Sequence, residues 1–140
     1  MSQTNTRVGD IRVVAGANLS EKEGYLVKLT NDGGVAEAVL PETNDDLALY
    51  LVIDGAAAGE NVSLRPIEPG RNVRVKLDGA CDPGDVLVLA DVGTAGDKGK
   101  LRAIPTDPGT YRGLAIAEES GLNNQLLLCR PAMLGEITVS

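Results

Sequence analysis

Arg71-Asn72-Val73-Arg74-Val75-Lys76-Leu77-Asp78 alternates without a break. Val73, Val75 and Leu77 fall on one side of an extended chain; Asn72, Arg74 and Lys76 fall on the other. Strict period two is the mark of a half-buried antiparallel strand, here with a basic outer face. Turn signals bound it: Glu68-Pro69-Gly70 before, and Cys81-Asp82-Pro83-Gly84-Asp85 after. Upstream, Val62, Leu64 and Ile67 make an imperfect strand whose end Pro66 demotes to an edge or bend. Downstream, Val86-Leu87-Val88-Leu89 reads as a buried strand.

The same rhythm runs through the rest of the chain. Ile11–Val14 and Gly24–Leu29 are short strands, and Asn31-Asp32-Gly33-Gly34 is a hairpin turn leading into a return strand over Val35–Leu40. Leu47–Ile53 is a continuous apolar run that suits a central strand, with a short helix as the alternative. Lys100–Ile104, Tyr111–Ala117 and Gln125–Cys129 follow, and the tail ends Glu136-Ile137-Thr138-Val139. Ser20 and Glu23 have capping-box spacing, but Gly24 limits any helix there to one turn. About ten short strands and no longer helix predict an all-β fold, a small β-barrel or β-sandwich of antiparallel strands. No sequence repeat of fixed period is visible.

The chain has 140 residues, enough for one sizeable core. Residues 1–9 are expected to form a flexible N-terminal arm, and residues 10–140 a single β domain. With no Phe or Trp and three Tyr, the core must be aliphatic. The absence of His removes Ser-His and Cys-His nucleophile pairs and the commonest metal ligand. A net charge of −7 and few aromatics argue against a nucleic-acid stacking platform, so no direct nucleic-acid partner is expected. No apolar run reaches membrane-helix length, so no membrane partner is expected either. Met1–Thr6 lacks a signal-type apolar segment, and the reading is a cytosolic product with reduced thiols; a Cys81–Cys129 cross-link stays open as the alternative.

Asp45-Asp46, Glu118-Glu119 and Asp82 with Asp85 are carboxylate pairs in turn-like sequence, without the spacing of a calcium loop, and read as solvated turns. Cys81 has no histidine to activate it and Asp82 beside it, and Cys129 sits in an apolar run; both read as core thiols. No catalytic, metal or cofactor-binding residue is assigned, and no cofactor is expected. One feature is polarised. Asp32 to Glu60 holds seven acids and no Lys or Arg, whereas Arg65 to Lys76 holds four bases against one acid, Glu68. Such a division suits charge complementarity between copies or with a protein lattice.

The order of several segments carries a resemblance. Gly24-Tyr25-Leu26-Val27-Lys28-Leu29 is followed by Ala57-Ala58-Gly59-Glu60-Asn61-Val62-Ser63-Leu64, Val73-Arg74-Val75-Lys76-Leu77 and Pro83-Gly84-Asp85-Val86-Leu87. Gly99-Lys100-Leu101, Gly113-Leu114-Ala115-Ile116-Ala117-Glu118 and Leu126-Leu127-Leu128 complete the series. Over about residues 20–130 this resembles the bacteriophage capsid cement, or head decoration, proteins. The resemblance implies a structural, non-enzymatic virion protein made in the host bacterial cytoplasm. It implies a homotrimer on the outer capsid surface at local threefold positions, which binds the major capsid protein and stabilises the expanded shell. The expected capsid or subunit contacts are Ser2, Gln3, Thr4, Asn5, Thr6 and Arg7 of the arm, with Arg71, Arg74 and Lys76 of the basic strand. Competing expectations are a phage tail or baseplate β-module and a small-ligand-binding β-barrel.

Overall fold

The computed structural model describes residues 9–140, and every regular element among them except one three-residue 3-10 turn, Ala95–Asp97, is a β-strand. The first five strands are β1 (Ile11–Ala15), β2 (Leu26–Asp32), β3 (Val35–Val39), β4 (Tyr50–Asp54) and β5 (Asn61–Pro66). The second five are β6 (Val73–Lys76), β7 (Val86–Leu89), β8 (Leu101–Ala103), β9 (Gly109–Ala117) and β10 (Leu126–Val139). The all-β expectation holds, and of its two forms the barrel is present.

The first five strands close on themselves in the order β1-β3-β2-β4-β5. Four of the five pairings are antiparallel; β1 and β3 run parallel through Val14↔Glu37 and Ala15↔Ala38. A five-strand barrel is narrow, so its interior must mix small and branched side chains. Ala15, Ala38, Val27, Val52, Val62 and Leu64 fill it. Gly33 and Gly34, both at positive φ, form the two-residue connection between Asp32 and Val35, as the sequence predicted. Leu47–Ile53 is strand only from Tyr50 onward, and Leu47 is exposed. The run is apolar because two cores meet on β4: Val52 points into the barrel, while Leu51 packs with the second sheet. Ser20 and Glu23 do not start a helix; Asn18 Oδ1 accepts the Ser20 N–H in a turn instead.

The second sheet has the order β6-β10-β9-β7-β8. Its Leu77, Leu89, Leu101 and Leu127 share one apolar cluster with Leu26 and Leu51 of the barrel. Cys81 and Cys129 are buried there as free thiols. Burial pushes the Cys129 thiol up to about 12, and burial likewise raises Cys81.

Within this sheet the contacts repeat forty residues apart. Leu77 N–H donates to Gln125 C=O at 2.8 Å, and Ala117 N–H to Asp85 C=O at 2.9 Å. Asn124 N–H donates to Leu77 C=O, and Gly84 N–H to Ala117 C=O. Cys81 and Gly121 exchange both backbone bonds at 3.1 Å. Asp82 N–H donates to Asp85 Oδ2 as Leu122 N–H does to Gln125 Oε1. Leu126↔Lys76 is matched by Val86↔Ile116. Two strand-turn-strand units are thus interlocked, each lending strands to the other.

Candidate functional site

The candidate surface is built around β6. Its alternation places Val73, Val75 and Leu77 in the core and turns Arg74 outward. The backbone alternates as well. Leu77 bonds to the β10 side, while Lys76 N–H faces the opposite way and donates to Gly24 C=O at 2.8 Å. Arg74 shares the orientation of Lys76, and on that side its N–H and C=O make no backbone bond among the described residues. One short stretch of sheet edge is therefore open.

That edge opens on a groove of about 420 Å³ between β4 and the β6–β10 pair. Leu51, Leu126 and Leu128 supply apolar surface, and Arg65, Arg71 and Arg74 supply charge. Leu126 is 46% exposed, which is unusual for a leucine beside a core.

The cations differ in their commitments. Arg65 grips Asp10 through two bonds, Nε–Oδ1 at 2.8 Å and Nη2–Oδ2 at 3.2 Å. The hydrogen bond from Arg65 holds the Asp10 carboxyl below its ordinary value against the opposing effect of desolvation. Arg74 Nη1 lies 2.9 Å from Glu119 Oε1 and 3.1 Å from Leu126 C=O. The same Glu119 oxygen accepts Leu128 N–H at 3.0 Å, and that bond is the main cause of its lowered pKa. Arg71 and Lys76 have no carboxylate within 4 Å among the described residues.

Of the sequence-selected residues, Arg71, Arg74 and Lys76 come together on this surface: Arg71 and Arg74 line the groove, and Lys76 joins Arg74 in the adjoining depression. Ser2, Gln3, Thr4, Asn5, Thr6 and Arg7 lie outside the described residues. The described chain begins at Gly9, which borders the same depression as Arg65 and Arg71. Sequence reasoning counted Arg65 among the bases but did not assign it to the site. It also missed Leu126 and the open edge, because their partners come from distant segments.

The carboxylate pairs serve the backbone. Asp46 Oδ2 accepts the N–H of Glu42 at 2.7 Å and of Thr43 at 3.1 Å, and meets Lys28 Nζ at 2.9 Å. Desolvation opposes its ionisation, but these bonds outweigh it and hold the carboxyl well below the usual range. Among the described residues no three His, Cys, Asp or Glu side chains cluster as metal ligands. No helix among them is long and apolar enough to cross a membrane.

The fold has a counterpart among phage structures. The chain is similar to the N base of head fiber gp8.5 in bacteriophage phi29, known from its crystal structure, with a TM-score of 0.67. The match covers 91% of this chain and 96% of that one, at 16% sequence identity. At that identity the likeness is one of fold. No family model and no curated protein matches the chain.

Proposed function

We propose that this chain is a structural, non-enzymatic component of a phage head, a decoration protein that binds the outer capsid surface and stabilises the expanded shell. The observation that carries this reading is the likeness of fold, along nearly the whole chain, to the base of a phage head fiber. The order of sequence motifs resembling the cement proteins supports it independently. On this reading the chain acts as a homotrimer at local threefold positions, with the major capsid protein as partner. Arg71 and Lys76, which have no carboxylate within 4 Å among the described residues, and the open Arg74 edge are available for contacts with the capsid or between subunits. Gly9, where the described chain begins, borders Arg65 and Arg71, and on this reading the N-terminal arm adds to the same contact. Three weak contacts tied together bind far more tightly than one, so modest chemistry at each suffices.

Quantitative mass spectrometry of purified particles tests this reading. The expected ratio to the major capsid protein is near one, lost on chemical stripping and restored when the protein is added back. A few tens of copies per particle favour a tail or baseplate module, and absence from particles overturns a virion role. Arg71→Glu with Lys76→Glu is expected to weaken re-binding and flatten its salt dependence. Removing residues 1–9 is expected to weaken it without lowering the melting temperature.

A further inference from the structure

The β2–β3 hairpin projects from the barrel. β4 pairs with β2 only at Leu26 and Val27, and β1 pairs with β3 only at Glu37 and Ala38. Thr30 to Ala36 therefore stand clear of both neighbours as a two-stranded finger. Asn31 Oδ1 accepts Gly34 N–H at 2.7 Å and stiffens its tip. Val35 is 54% exposed, with Asp32 beside it across the turn and Glu37 two residues on. Neither carboxylate has a Lys or Arg within 4 Å among the described residues. Desolvation first, and then the charge of Asp32, raise the Glu37 carboxyl above its ordinary value. The finger thus carries Val35 beside Asp32, with Glu37 at its base where β3 joins β1, and the groove has an apolar floor flanked by arginines.

Strand order fixes where the two features lie. In the ring β1-β3-β2-β4-β5, β5 touches β4 and β1, so β2 and β3 are the strands across from it. Arg65 is on β5, and the finger is on β2 and β3. Both β2 and β5 run antiparallel to β4, so the tip of the finger and Arg65 lie toward the same end of the barrel. Within one copy the finger and Arg65 therefore stand on opposite flanks of the barrel, and Arg71 lines the groove beside Arg65.

We propose that the chain assembles head to tail, the Asp32–Glu37 finger of one copy entering the Arg65–Arg71–Arg74 groove of the next. This rests on the homotrimer reading above and names the interface that forms it. Two different patches make the contact, so it is heterologous and closes only by rotation, as a trimer does. Val35 covers Leu126, and Asp32 and Glu37 neutralise Arg71. The stiff turn keeps the ordering cost low.

Sedimentation velocity and light scattering on the full chain test the interface. The wild type is expected to be trimeric at about 50 mM salt and to dissociate toward monomer at about 500 mM, as screening weakens the charge contact. Arg71→Glu and Glu37→Arg are each expected to raise the concentration needed for assembly at least about ten-fold. The double variant, with the charges exchanged, is expected to recover most of that loss. A wild type that stays monomeric overturns the proposal, as does a trimer indifferent to salt or a double variant no better than the singles. Circular dichroism checks the fold of each variant; should one misfold, the salt series on the wild type still decides. Co-sedimentation with stripped particles is scored separately. Particle binding with no finger-in-groove trimer removes this interface and leaves the head reading standing.

Discussion

Lys100 Nζ lies 2.8 Å from Asn124 Oδ1 and also 2.8 Å from Asp97 Oδ1, with the lysine only 7% exposed. Asn124 has φ +68 and holds the turn position that Gly84, at φ +88, holds in the other half of the second sheet. Asparagine tolerates that conformation, and its side chain adds a bond glycine cannot make. The ammonium thus joins the 3-10 turn, the entry to β8 and the turn before β10. Lys100→Met is expected to lower stability by about 2 kcal/mol, measured by urea unfolding.

The same lysine sets an alkaline limit. Desolvation opposes its charge, but Asp97 and nearby anionic groups outweigh that and raise its pKa above 10.5. A cation with a raised folded pKa contributes stability that is full below the unfolded value and fades as pH climbs through the folded one. The melting temperature is expected to fall above about pH 10.5, and to fall less in Lys100→Met.

Asp46 governs the acid side. Its folded pKa is depressed, so its contribution is present above the ordinary carboxylate pKa and lost as pH drops through the folded value. Asp46→Asn is expected to cost about 1–2 kcal/mol near neutral pH and progressively less in strong acid. Thermal melts of both proteins across pH 2–7 check the sign.

Gly99 separates two penalties. Its φ is +91, and an added Cβ would meet Leu26 C=O at 2.7 Å. Gly79 has a similar φ of +82, but nothing lies within 4 Å of its added Cβ. Gly79→Ala is expected to cost about 1 kcal/mol, from backbone conformation alone. Gly99→Ala is expected to cost about 2–3 kcal/mol, because the Leu26 backbone must also move.

The two thiols are expected to be inert in the native protein. Burial raises both and keeps them neutral, so thiol-specific labelling should run at least about a hundred-fold slower than in denaturant. Rapid labelling of either cysteine under native conditions contradicts this placement.

Local chemistry was readable from the chain. The alternation of Val73, Val75 and Leu77 predicts their burial, and Asn31 to Gly34 predicts the hairpin because few other residues accept positive φ in succession. Pairing was not readable. Nothing near β6 says that β10 lies beside it, and nothing near Arg74 points to Glu119, 45 residues away. The arginines that form the groove were visible as a run of charge, but its leucine floor comes from β4 and β10. The forty-residue repeat leaves little trace in sequence. Asp82-Pro83-Gly84-Asp85 and Leu122-Asn123-Asn124-Gln125 share only a residue suited to positive φ and a terminal side-chain acceptor.

That interlocking bears on how the chain reaches and leaves its native state. β6 finds its ladder on β10 and β7 finds one of its two on β9, so neither unit completes its sheet from its own strands. Loop closure must precede reward, which slows folding relative to a chain of local hairpins. The reverse step is slow for a related reason, since opening one unit strips the other of its neighbours. A protein built this way is expected to be guarded by its unfolding rate as well as by its equilibrium stability, and to offer proteases few partial openings.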